Sequence, residues 1–116
     1  MPQINGLNYV TVTGTMITQA GAPSSGSLYF EASDLVWNSA APFVGSLDPV
    51  GVTLPASGLL SVPLLAMDNA GLSATWNWIL SVSLNGITYA KRKLIVLYSL
   101  GDSQDIAKLL NTATVL

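Results

Sequence analysis

Hydrophobic and polar side chains alternate most strictly at residues 76–85, where Trp76, Trp78, Leu80, Val82 and Leu84 share one face and Asn77, Ile79, Ser81, Ser83 and Asn85 the other. Successive side chains of an extended chain point to opposite faces, so this period of two predicts a half-buried strand. Two of the three tryptophans lie on its apolar face, which marks it as the central strand of an antiparallel sandwich. The same period predicts strands at 9–15 with Val10 and Val12 inward, at 27–32 with Leu28, Phe30 and Ala32 inward, and at 59–65 with Leu60, Val62 and Leu64 inward. A shorter strand is expected at 51–54. Residues 33–49 are irregular and predict a long loop with at most a short strand near 35–37. Pro63 cannot donate to a ladder, so the 59–65 strand is expected at a sheet edge or with the proline amide position turned away from pairing.

Turn chemistry and a change of period organise the rest. Gly21, Pro23 and Gly26 predict a hairpin joining the first two strands, and Asn85-Gly86 predicts a two-residue hairpin because both positions accept positive φ. The returning strand, 87–98, carries Lys91-Arg92-Lys93 and then loses its alternation over 94–98. An antiparallel strand apolar on both sides must be covered on both. Either the chain bulges at the basic triplet, or a partner covers 94–98. Beyond residue 101, Ile106, Leu109 and Leu110 fall at i, i+3 and i+4, the stripe of a helix over 105–110, with Asp102 as its cap and Asp105 adding negative charge to the first turn. A helix of about two turns is unstable alone and has to dock. Met67-Asp68-Asn69-Ala70-Gly71 reads as a tight polar loop. The expected organisation is an N-terminal arm at 1–8, a sandwich domain at 9–100 and a C-terminal helix and tail at 101–116. The fold class is all-β, an antiparallel β-sandwich, Ig-like or transthyretin-like, with a short C-terminal helix.

Composition alters this picture in one respect. Of 116 residues, half are hydrophobic and 9% charged, against about 25% charged in ordinary domains. The surface must therefore be built from Ser, Thr, Asn, Gly and apolar atoms, and weakly charged apolar surface points to assembly with other chains. No apolar run approaches the roughly 20 residues of a spanning helix, so no membrane insertion is expected. The N-terminus shows neither a basic nor an apolar leader region, so synthesis without a signal peptide is the expectation. Net charge is −2 with four basic residues, which does not make the basic face that nucleic acid requires.

Candidate chemistry is sparse. Histidine and cysteine are absent, removing the usual general base, thiolate chemistry and the commonest metal ligands. The six acids, Glu31, Asp34, Asp48, Asp68, Asp102 and Asp105, stand mostly in turn or cap settings, and no EF-hand loop, phosphate-binding loop or nucleophile elbow occurs. No catalytic, cofactor-binding or metal-binding residue is assigned. Trp76 and Trp78 suit core packing better than a sugar-stacking platform. Trp37 and Tyr29 are the better candidates for contact with a ligand. The basic triplet reads as a solvated strand patch that discourages edge pairing.

The order of motifs resembles a module of minor tail proteins from phages infecting actinobacteria. The residues that carry the resemblance are Val12-Thr13-Gly14-Thr15, then Gly21, Pro23, Gly26, Leu28 and Phe30, then 58–68 from Gly58-Leu59-Leu60 to Ala66-Met67-Asp68. Trp76-x-Trp78 follows, where the family often has Trp-x-Tyr, then Val82 and finally Asp105-Ile106-Ala107-Lys108-Leu109. Together they span nearly the whole chain. Such proteins usually carry more charge and continue into fibre or receptor-binding regions, whereas this sequence stops at Leu116. The resemblance implies a non-enzymatic structural piece of a virion tail tip or fibre, commonly trimeric, made in the host cytoplasm and partnered by itself and other tail proteins. It supplies no catalytic residues. The expected subunit interface consists of Leu94, Val96, Tyr98, Ile106, Leu109 and Leu110. The alternative is a carbohydrate-binding or adhesin module that meets a host-surface glycan through Trp37 and Tyr29.

Overall fold

A computed structural model describes residues 6–40 and 42–116. In chain order the described elements are β1 (Tyr9–Thr15), β2 (Gly26–Ala32), β3 (Val36–Asn38), β4 (Phe43–Gly45), β5 (Val50–Thr53), β6 (Leu59–Leu65), β7 (Trp78–Leu84), β8 (Ile87–Thr88), β9 (Arg92–Leu94), β10 (Ser103–Asp105), α1 (Ile106–Asn111) and β11 (Thr114–Val115). One sheet has the order β10-β1-β6 and the other β11-β9-β7-β2-β5, with β8 beside β7 and β3-β4 as a separate hairpin. The fold is an all-β sandwich with one short α-helix near its C-terminus. All pairings are antiparallel except β1 with β10, which is parallel.

The alternating positions supply the core. Val10 and Val12 of β1, Leu60, Val62 and Leu64 of β6, Leu28 and Phe30 of β2, and Trp78 and Leu80 of β7 are all buried. Burying side chains of this size contributes about 1.5–3 kcal/mol each before entropy is charged against it. β7 is the middle strand of the larger sheet, with β2 on one side and β9 on the other. Trp76 lies just before it, is equally buried, and meets Trp78 edge to face with ring centres 5.5 Å apart. β6 is an edge strand, the first of the two settings that Pro63 allows.

The hairpin expected between the first two strands does not form. Residues 18–25 make a local turn, with Thr18 N–H donating to the Ala22 carbonyl at 2.8 Å, but β1 and β2 do not pair with each other and belong to different sheets. Turn residues report only where a chain reverses. The inward faces of Val10, Val12, Leu28 and Phe30 are better satisfied packed across the sandwich than side by side. Residues 33–49 also hold more structure than a loop, since Val36–Asn38 pairs with Phe43–Gly45. Residues 1–5 of the expected arm lie outside the described residues. Asn8, its last member, is tied down, because Asn69 accepts from the Asn8 amide at 2.7 Å and donates to its carbonyl at 3.0 Å.

Of the two alternatives for 87–98, the chain takes the bulge. Asn85 and Gly86 turn it at φ 51° and 80°. Ser83 then pairs with Thr88 and Leu80 with Arg92, so Tyr89, Ala90 and Lys91 oppose only Ser81 and Val82. One extra residue is accommodated beside the basic triplet. The C-terminal segment is woven into both sheets rather than appended: β10 pairs with β1 and β11 with β9. The helix starts one residue later than expected, at Ile106. Its cap is Asp105, which accepts from the Ala107 amide at 2.8 Å, while the Asp102 carbonyl accepts from the Thr11 amide at 2.8 Å.

The helix docks where β1 has no side chain. A methyl group placed at Gly14 would come within 2.6 Å of Ile106 Cγ2 and 3.3 Å of Met16 Cε. Gly14→Ala is therefore expected to cost about 1–3 kcal/mol by overpacking, and Leu80→Ala about 2–5 kcal/mol by leaving a cavity. Urea unfolding of the two variants measures both, and an unchanged midpoint for Gly14→Ala would show that Ile106 does not rest on that strand.

Candidate interaction surfaces

Four of the six expected interface side chains face the protein's own interior. Leu94 and Val96 are fully buried, and Ile106 and Leu109 are 4% exposed. The bulge sets this phase: Leu94 pairs with Trp78 and points into the core with it. Val96 lies beside residue 67, where Met67 N–H donates to the Val96 carbonyl at 2.8 Å and Val96 N–H donates to Met67 Sδ at 3.3 Å. The helix stripe is covered by β1 and β10. Only Tyr98 and Leu110 remain at the surface, each 39% exposed.

The outward phase of the same segment presents what the buried phase does not. Ile95 and Leu100 are 42% and 70% exposed. With Leu97 and Leu109 they give an apolar floor to an open groove of about 460 Å³, whose rim carries Gln104, Asp105, Lys108 and Thr112. Gln104 holds the wall in place, its amide nitrogen donating to the carbonyls of Leu97 and Gly101, both at 2.6 Å. Because 94–98 is apolar at every position, its outward residues could not be told from its inward ones until the bulge fixed the register.

The groove is anchored from behind by Asp68. Its carboxylate accepts from the amides of Tyr98 at 2.7 Å and Ser99 at 3.1 Å, the start of a 3₁₀ turn over Tyr98–Leu100. Partial desolvation pulls its pKa upward, but these backbone bonds and one from the Ser99 hydroxyl outweigh it and leave the carboxyl below the ordinary aspartate value. The residue read as a loop acid is a positioning group for the segment bearing Leu100.

Tyr29 and Trp37 stand on different elements. Tyr29, 43% exposed, lies on the outer face of the larger sheet beside Gly51 of β5. Trp37, 39% exposed, pairs with Val44 on the β3-β4 hairpin, and its amide donates to Ser73 Oγ at 3.2 Å. On one side of Tyr29 the outer face is uncharged: Thr53, Ser27, Ser83 and Thr88 form one cross-strand row over β5, β2, β7 and β8, and Gly51, Tyr29 and Ser81 form the next; on the other side the row is Glu31, Ile79 and Lys93. Trp76 and Trp78 are core residues. Lys91 of the basic triplet lies 3.5 Å from Glu31, and Arg92 donates to the Ala90 carbonyl at 3.0 Å.

Among the described residues no cluster of three or more acidic, histidine or cysteine side chains is placed to hold a metal ion, and no helix is long and apolar enough to cross a membrane. Comparison with protein-family models, with characterised proteins and with solved structures finds no match for this chain.

Asp68 gives the groove a pH dependence. A carboxyl whose folded pKa lies below its unfolded value, about 3.9, contributes stability that is present above the unfolded pKa and is lost as pH falls through the folded one. Amide exchange at Tyr98 and Ser99 is expected to accelerate, relative to the core, as the solution is acidified below that range. Asp68→Asn should show the faster exchange already at neutral pH, and equal exchange in the two proteins would remove Asp68 from this role.

Proposed function

We propose that this chain is a non-enzymatic structural module that works by assembling with copies of itself and with other subunits, in the setting its motif order suggests, the tail tip or fibre of a phage. The observation that carries the reading is the groove over Ile95, Leu97 and Leu100, an apolar surface on a protein with very few charges. Exposed leucine at this level costs nothing in a subunit that covers it, and charge-poor surface is what the centre of an interface requires. A trimer is the favoured state, on the resemblance alone.

Glycan recognition is the second reading, favoured by the hydroxyl rows on the side of Tyr29 away from Glu31. An aromatic ring with neutral hydroxyls on one side and a carboxylate on the other suits the face and edges of a sugar.

Sedimentation of the full chain at micromolar concentration is expected to show an oligomer, and Leu100→Asp to weaken association tenfold or more, about 1.4 kcal/mol. Leu100 is exposed in the single chain, so this variant should fold normally. A monomeric wild-type protein would sink the assembly reading. Glycan-array binding abolished by Tyr29→Ala, but not by Trp37→Ala, would establish the second.

A further inference from the structure

We propose that β5 is an edge at which two copies of this chain join antiparallel, so that their larger sheets become one. This contact is separate from the groove and does not depend on it.

Sandwich sheets have open edges, and an unguarded edge is a template for another strand. Of the four strands that end the two larger sheets, β10, β6, β11 and β5, three are guarded. Met16 N–H bonds to the Gly58 carbonyl and Ala66 N–H to the Asn8 carbonyl. That phase turns the odd positions of β6 outward, and one of them is Pro63, which has no N–H to offer. The carbonyl of another, Leu65, is taken by the Trp78 indole at 2.9 Å. β10 is three residues long, ends in Asp105 and runs straight into α1. β11 is only two residues long.

β5 has none of these devices. Val50-Gly51-Val52-Thr53 contains no charge, proline or bulge. Its hydrogen-bonding phase follows from the Leu54 amide, which donates to the Gly26 carbonyl at 2.9 Å. Ladder bonds in an antiparallel pair alternate, so Val50 and Val52 bond to β2, while the N–H and C=O of Gly51 and Thr53 point away from the sheet. The other side of β2 agrees: Ser33 N–H bonds to the Asn77 carbonyl and Asn85 N–H to the Ser25 carbonyl, so the odd residues of β2 serve β7 and its even residues serve β5.

The occupant that fits is a second copy. Two β5 strands related by a two-fold axis at Val52 pair Gly51 of each with Thr53 of the other, which uses all four outward groups on each strand. Val52 meets its symmetry mate on the core side. Pro49 and Pro55 close the exposed edge at both ends, so pairing stops at this length instead of propagating. Charge is compatible as well. The outer-face neighbours Ser27 and Tyr29 are neutral, and the register sets Asp48 of one copy level with Ala56 of the other, which keeps the two Asp48 carboxylates at opposite ends.

Amide exchange of the full chain, followed by NMR over a concentration series, tests this directly. Gly51 and Thr53 are expected to gain tenfold or greater protection as dimer forms, in the wild type and in Leu100→Asp alike. Two variants remove the edge: Thr53→Pro deletes an outward N–H, and Gly51→Lys adds a charge that the fold accepts, because a Cβ there meets only Tyr29 Cδ1 at 3.7 Å. At least the lysine variant should keep the wild-type circular dichroism and lose the protection at Thr53. The proposal is overturned if Gly51 and Thr53 exchange at a rate independent of concentration, if folded Gly51→Lys retains the β5 contact, or if protection appears only when another protein's strand is added.

Discussion

The hydrogen bond from the Trp78 indole to the Leu65 carbonyl joins the two sheets. Apolar contact between sheets is non-directional, and a core of Val and Leu tolerates sliding. A buried donor with a fixed acceptor does not, because losing its partner costs about 1–3 kcal/mol. The residues that follow Leu65 extend the seam. Met67 bonds to Val96, Asp68 to the amides of Tyr98 and Ser99, and Asn69 to both backbone groups of Asn8. What reads in the sequence as a tight polar loop is a line of stitching. It fastens the end of β6 to the segment after β9 and to the start of β1.

Legibility followed the range of the physical signal. β1 and β6 coincide with the alternation that predicts them, and the Asn85-Gly86 turn is where its positive-φ residues place it. These are local properties, set by side chains two to four residues apart. Pairing partners are not local, which is why turn residues at 21–26 do not make β1 and β2 neighbours and why alternation does not announce the parallel β10. Ser103-Gln104-Asp105 has almost no apolar character to announce a strand; it is one because Thr11, Val12 and Thr13 lie beside it. The contact surface was legible as a property of 94–98 but not as particular residues, since a run apolar at every position carries no phase. One extra residue opposite Ser81 and Val82 decided that Leu94 and Val96 go inward and Ile95 outward.

The low charge of the chain bears on every surface at once. With few lysines and acids to spend, the protein guards its edges by backbone means, with a proline in β6, a helix after β10 and brevity in β11. The half of the larger sheet's outer face nearest β5 and the Asn85-Gly86 turn is left to serine, threonine and a tyrosine lying against glycine, and the charges on that face gather in the row of Glu31 and Lys93. The apolar groove and the β5 edge are the places where these backbone devices stop.

The order of strands also governs how the protein is made. β1 leaves the ribosome before the other described strands, yet its partners are β6, some fifty residues later, and β10, later still. Helical proteins close contacts as they emerge, whereas long-range pairing delays folding. Here the smaller sheet cannot close until residue 105 is free of the ribosome exit tunnel. Val10 and Val12 wait uncovered until those later strands emerge, so the nascent chain, rather than the finished sandwich, is the form most exposed to aggregation.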